Sequence, residues 1–574
     1  MVHVLEKYFN PEAIKLAFFR VQCWPDKMVK DQVGIRAFRT DVDKNCSELS
    51  KVILDGKYRA QRGFKFYVPK ASKTMRTKGV MYVEDAIVYQ AIANVIATAS
   101  FEKLDRYNAF VFGSVLNDET KKGQDLLLEE NPNFFFFKFW QGLHQKYADS
   151  IIQAIEIDKV KYKFETDITG FFDSIPHYNL LLKLSDEFGV EDEILDLLGD
   201  CLNIWSGTKE GPTPGVGIPQ GTPPSFLLAN MLLNRLDEEL IEQGYRYYRY
   251  MDDISIYSYE EDQLLDALLI IDKYTKANAL SINAKKTSIQ EIQEGVEDEK
   301  VKELKKILVF SSYGDSEIVE LQEKERPRNA SSEIHKVNKD LAYLSQQDSA
   351  HTNQDLTILT DSKEIIEHWN KQIFSVEKEL PTLFENPNEE NLILKDSTDD
   401  IDAIRLSANY GIALRELRYL ENAVEPNKDL LKYWLFFYEK YFWRADKLGY
   451  TLMNYRYSDE VKCKLNDMLE GVFAKYEWCK YLIFQNLSLT QNFEEKELRQ
   501  VYFQKLKLEE SDLVKISLYR LLFKHSTTKQ FIATLTNQLN KEKNQYLKIL
   551  IAEFNKFHSY SDIDLDEFLN SIGL

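Results

Sequence analysis

The sequence predicts an α+β chain, with a compact mixed core near its middle and a long all-α region after it. Three observations predict this. Lys161–Ile168 and Tyr247–Tyr257 are dense in β-branched and aromatic residues and read as strands. Ser225–Glu242, between them, has the apolar spacing of a helix. From Ala403 onward, glycine and proline are sparse and charges lie to one side of apolar stripes.

Taken in order, residues 1–150 mix helical periodicity with short β-rich pieces, Phe64–Val68 and Val80–Val83, which suggests an irregular α/β subdomain. Polar stretches at Asp315–Asn338, Ser345–Lys363 and Asn386–Asp402 read as linkers or loops. Beyond them, helices are expected at Ala403–Ala423, Lys428–Lys447, Asp459–Asn486, Glu494–Lys507, Glu510–Lys524, Thr528–Leu539 and Lys543–Phe557. Their lengths and short connections suggest a bundle or a solenoid of helical pairs, although no strict sequence period is visible. The expected division is 1–155, 156–325, a connecting stretch 326–400, and a helical domain 401–574.

With 574 residues, 44% of them hydrophobic and 13% aromatic, the chain can bury two or three cores and is not of disordered composition. A formal charge of −19 is unexpected for a protein that handles nucleic acid, since phosphates reward Lys and Arg. The charge is uneven: residues 1–100 carry 17 Lys and Arg against 10 Asp and Glu. A basic N-terminal face beside an acidic remainder fits a chain that holds nucleic acid in one groove, although basic residues that only solvate helices would look similar. The five cysteines are scattered without a CxxC pair, so neither a disulfide framework nor a zinc site is indicated. No run approaches the ~18 apolar residues of a membrane span, and MVHVLEKYFN lacks the pattern of a signal peptide, so a cytoplasmic, membrane-free chain is expected.

Three short patterns carry the chemistry. Asp167–Asp173 (DITGFFD) ends the strand KYKFET, Ile218–Ser225 (IPQGTPPS) opens a helix, and Tyr250–Asp253 (YMDD) lies between the strands RYYRY and ISIYS. Paired aspartates at a hairpin tip, facing a third on a neighbouring strand, meet the needs of a two-metal site. Carboxylates are hard oxygen ligands suited to Mg²⁺, and two ions about 3.5–4 Å apart can activate a 3′-hydroxyl and stabilise pyrophosphate. Alone, YMDD would read as ordinary turn chemistry.

In this order the three patterns resemble the palm motifs A, B and C of the reverse transcriptases, over about Phe64 to Ile289. The resemblance implies a right-handed fingers and palm architecture. Asp167 and Asp252 become metal ligands for Mg²⁺ or Mn²⁺, and Asp253 completes the catalytic triad in a less direct role. Phe172 matches the ring that blocks a ribose 2′-hydroxyl, which implies deoxynucleotides as substrates, although both Phe171 and Phe172 also read as core. Gln220 and Gly221 match the motif B turn beside the nascent base pair; an ordinary helix N-terminus after Pro219 is the plainer reading. LSINAKKTSI resembles motif D, placing Lys286 near the pyrophosphate, where a solvated loop lysine is the alternative. YVPKASKTMR resembles the fingers strand pair, with Lys70 and Arg76 as triphosphate contacts and Lys73 a third candidate. YVEDAIVYQAIANVI and the Phe112–Gly113 step match the family too, in structural roles.

The chain departs from the family after motif D. ILVFSSYGDSEI stands where a primer-grip hairpin belongs, and no clear thumb follows. An acidic chain with this palm and a long helical C-terminal region resembles the bacterial abortive-infection and other defence-associated reverse transcriptases. That resemblance implies a HEAT-like helical region in place of the thumb, homo-oligomers such as a trimer or hexamer, and DNA made from dNTPs, in some members without a template. Several members leave DNA covalently attached to a protein hydroxyl; with 32 tyrosines, the priming residue is not identified. Two other readings stand beside it: a retron- or intron-type enzyme copying an RNA template, and a scaffold with an inactive palm acting through its helices.

Overall fold

The computed structural model describes residues 2–25, 30–293, 297–312, 362–388, 390–396, 400–419, 424–544 and 547. The expected loops at Asp315–Asn338 and most of Ser345–Lys363 lie outside them, as does most of the expected helix Lys543–Phe557. The chain forms two compact units, one of Met1–Lys65 with Lys78–Val309, the other of Phe66–Thr77 with Phe310–Leu574.

The first unit is built on a four-stranded antiparallel sheet in the order β4-β5-β3-β6, formed by β3 (Tyr162–Thr166), β4 (Arg246–Tyr250), β5 (Asp253–Ser258) and β6 (Ser288–Glu291). Strand side chains alternate between faces. Phe164, Tyr247, Ile254 and Ile256 therefore share one face, packed on Leu236 and Leu240 of helix Pro223–Glu242 and Leu264 and Ile271 of helix Glu261–Ala277. On the opposite face Tyr257 joins Tyr147 and Ile151 of helix Trp140–Ile152 and Val301 and Leu304 of helix Glu299–Ser312. A larger core gathers the N-terminal helices around helix Val83–Asp105, which is buried over most of its circumference.

One strand expectation is corrected. A two-stranded sheet pairs β1 (Phe64–Pro69) with β2 (Met75–Val80), and Val83, expected to end a β-rich piece, begins the buried helix instead, because the acidic pair Glu84 and Asp85 favours a helical first turn. The start of ILVFSSYGDSEI continues helix Glu299–Ser312. A hairpin does not form there among the described residues.

In the second unit, every described element from Ser362 onward is helical. Helix Ser362–Thr382 packs on Asp400–Tyr419, and Glu477–Leu489 on Asp512–His525. Two of the long expected helices are broken. Lys428–Lys447 divides at Tyr441, whose ψ of 49° leaves the helical region. Asp459–Asn486 divides at Gly471, where an extended glycine precedes a short turn, so Asp459–Met468 and Glu477–Leu489 are separate helices.

Candidate active site

The sheet register brings two of the three motifs together. The ladder of β3 and β5 ends with Thr166 paired to Ile254, so Asp167 directly follows the last paired residue of β3 and Asp253 directly precedes the first of β5, at one end of the sheet. Tyr250 pairs with Asp253, leaving Met251 and Asp252 as a two-residue turn. Beyond β3 the chain is turned by Gly170 at φ 56°, and Phe171–Ser174 forms a single helical turn.

The carboxylates feel one another. Burial, then the charge of Asp253 and, less strongly, that of Asp167, pushes Asp252 up to about 6. Asp253 is exposed at its surface, yet enough protein surrounds it that its carboxyl is raised as well; Lys300 and Lys286 oppose the rise and Asp167 adds to it. Lys286 donates to Asp167 Oδ2 in a short ion pair, and that bond holds the Lys286 ammonium above its usual range. The loop that carries Lys286 is tied to Asp167 through its backbone, with Asn283 N–H donating to Asp167 O at 2.8 Å.

Asp167 Oδ1 is buried and has no hydrogen-bond partner. A carboxylate oxygen accepts only, so an oxygen left without a donor beside two mutually repelling carboxylates fits a divalent cation. Among the described residues, no three acidic, histidine or cysteine side chains form a ready-made cage. Carboxylate oxygens such as those of Asp167 and the Asp252–Asp253 turn are hard donors of the kind Mg²⁺ or Mn²⁺ takes.

The aspartate turn is held from behind by a buried network. Met251 lies at φ 57°, a strained conformation for a residue with a side chain. Arg249 Nη1 donates to Met251 O at 2.7 Å and to Asn230 Oδ1 at 2.9 Å. Its Nε and Nη2 meet both oxygens of Asp237 at 2.7 and 2.5 Å, and Tyr247 donates to the same carboxylate at 2.6 Å. Asn230 Nδ2 donates in turn to Gly113 O at 2.8 Å. A Cβ on Gly113 would lie 2.5 Å from Met251 N, so only glycine fits beneath the turn.

The other expected residues fall as follows. Phe172 is buried, edge-on to Phe226 at 5.6 Å, and its carbonyl accepts from Ile218 N–H at 2.8 Å, which ties motif A to motif B. Gly221 takes φ 98°, and Gln220 Oε1 is buried with no partner. Lys70, Lys73 and Arg76 are exposed and belong to the second unit, while the aspartates belong to the first.

Sequence reasoning missed Lys300, Arg249 and Asp237. Lys300 lies 3.8 Å from Glu165; burial alone would lower its ammonium, but Tyr147, Glu165, Glu303 and Asp253 hold it above its usual range. In EKVKELKK it looks like one more charge on a solvated helix. Arg249 is one of two arginines in RYYRY and Asp237 one of four acidic residues in LDEELIE, so neither stands out in the sequence.

Residues 68–319 match the family described as reverse transcriptase (RNA-dependent DNA polymerase). The segment is thus similar to the domain of nucleotidyltransferases that make DNA in the reverse-transcriptase manner. Solved structures similar to the chain include a telomerase from Candida albicans in complex with a fragment of telomeric RNA. It is 10% identical, with 76% of this chain and 65% of that one covered and a TM-score of 0.32. A telomerase from Candida tropicalis is 12% identical over 81% and 68% of the two chains, with a TM-score of 0.30. The chain thus spans just under two thirds of the first of these. No curated protein matches it. No helix among the described residues is long and apolar enough to cross a membrane.

Proposed function

We propose that this protein is an antiphage-defence DNA polymerase of the reverse-transcriptase type that adds deoxynucleotides by a two-metal mechanism. The observation that supports the catalytic part is the mutual repulsion of Asp167, Asp252 and Asp253 at one end of the sheet, with one buried Asp167 oxygen lacking any donor. When bound, Mg²⁺ or Mn²⁺ supplies activation of the attacking 3′-hydroxyl and neutralisation of the leaving pyrophosphate. Asp167 and Asp252 would hold the ions, with Asp253 completing the triad in a less direct role. Lys286, ion-paired to Asp167 Oδ2, would serve as charge partner or acid for the leaving pyrophosphate. Phe172, held between two segments, excludes a 2′-hydroxyl, while Gln220 and Gly221 support the nascent base pair. Lys70 and Arg76, with Lys73 a third candidate, contact the triphosphate of the incoming dNTP.

The defence assignment is supported by the acidity of the chain and by its helical C-terminal region. In this reading, that region is HEAT-like, replaces the thumb and builds a homo-oligomer, a trimer or a hexamer. The enzyme works in the bacterial cytoplasm and starts DNA on a tyrosine hydroxyl without a template. Purified protein incubated with labelled dNTPs and no nucleic acid, then run on a denaturing gel, tests this. Label migrating with the polypeptide is the expected result; label appearing only with added RNA and primer would replace self-priming with conventional reverse transcription.

A further inference from the structure

Among the described residues the hairpin of β1 and β2 pairs with no third strand, so its edges leave backbone groups open to other partners. Its tip, Phe66–Thr77, groups with the helices of the second unit. Three consecutive residues at the start of helix Glu477–Leu489 each take one part of it. Tyr67 N–H donates to Glu477 Oε1 at 2.9 Å. Tyr476 OH donates to Lys73 O at 2.9 Å, at the strained residue of the turn, where φ is 65°. The Phe66 ring stacks on Trp478 at 5.7 Å, and Trp478 on Tyr481 at 5.2 Å. Phe66 and Trp478 are almost fully buried.

Two of the three contacts grip backbone, so they fix where the hairpin lies without engaging its charged side chains. Lys70, Lys73 and Arg76 stay exposed. The gripping carboxylate is itself anchored: Glu477 Oε2 accepts a short hydrogen bond from the Ser511 hydroxyl, at the N-cap of helix Asp512–His525. The hairpin is therefore tied to two helices of the C-terminal region, about 400 residues away in sequence.

We propose that Tyr476, Glu477 and Trp478 are positioning residues for nucleotide binding, through which the helical region holds the fingers hairpin so that Lys70 and Arg76 meet the triphosphate. This rests on the reading of Lys70 and Arg76 as triphosphate contacts. Glu477→Ala removes a charge-assisted bond to the strand, and Tyr476→Phe removes only the bond to the turn, leaving the helical body untouched.

The test uses the full chain with Mg²⁺ and labelled dTTP, with and without poly(rA)/oligo(dT), together with hydrogen exchange over residues 66–77. Both variants are expected to speed exchange there. Glu477→Ala is expected to raise the KM for dTTP by up to about ten-fold with kcat within two-fold, and Tyr476→Phe to raise it less. In a Lys70→Ala/Arg76→Ala background, Glu477→Ala should raise KM no further. Unchanged exchange in both variants, or faster exchange with unchanged KM, would overturn the clamp. If Lys70→Ala/Arg76→Ala itself leaves KM unchanged, the triphosphate reading fails first, and the clamp loses its link to nucleotide.

Discussion

The turn between β4 and β5 and the turn between β1 and β2 each place a non-glycine residue at positive φ, Met251 at 57° and Lys73 at 65°. Behind Met251 stands a buried guanidinium–carboxylate pair with both of its forks engaged, and a glycine that admits no side chain. Lys73 is exposed and gripped through one carbonyl by a single tyrosine hydroxyl. Strain persists where its surroundings over-determine it, and local opening is cheapest where few buried groups would be lost. The first hairpin is thus built to hold carboxylates still against their own repulsion. The second is built to present cations and to yield when its grip is loosened.

The largest way to break this contrast is to remove the charge the first hairpin exists to hold. Asp167→Ala and Asp252→Ala should each lower dNTP incorporation by at least about a thousand-fold. Thermal unfolding of Asp252→Ala without metal should occur at or above the wild-type temperature, because a carboxyl pushed up by burial and like charge destabilises the fold when ionised. Removing the support is next. Asp237→Ala strands Arg249 in the interior and should cost about 3–5 kcal/mol in denaturant unfolding, with incorporation falling alongside. The same experiment on Tyr476→Phe should cost under about 1 kcal/mol, and equal costs at the two sites would erase the contrast.

Phe172→Val sharpens the reading of the first hairpin's neighbourhood. The dNTP-to-rNTP ratio of kcat/KM should fall about ten-fold, measured on one template and primer. A smaller effect is expected in the unit that carries the second hairpin. His525 is pushed down to about 4, chiefly by burial, while its ring bonds Ser488 O at 2.9 Å. An unfolded histidine binds a proton below about 6.5, so this site's stability is fully present above that pH and is lost as pH falls toward 4. The loss should be on the order of 2 kcal/mol and absent in His525→Gln, as read by urea unfolding at pH 7 and pH 5.

The palm was legible in the sequence because its strands are dense in β-branched residues and its aspartates sit at strand ends, where side-chain alternation and register carry information. The network behind Met251 was less so: Arg249 reads as one more residue of RYYRY until Asp237, on a distant helix, is placed beside it. The hairpin's clamp left no pattern at all, since Tyr67 N–H and Lys73 O are groups every residue carries. The breaks at Tyr441 and Gly471 were hidden inside apolar periodicity that continues on both sides.

The most direct test of the central claim is Mn²⁺ binding, followed by electron paramagnetic resonance on the full chain with dTTP. The wild type should bind Mn²⁺ in the protein–nucleotide complex, and Asp167→Asn and Asp252→Asn should each lose most of that binding while keeping the folded circular-dichroism signal. Undiminished Mn²⁺ binding in both variants would contradict the assignment of these carboxylates as one cation site.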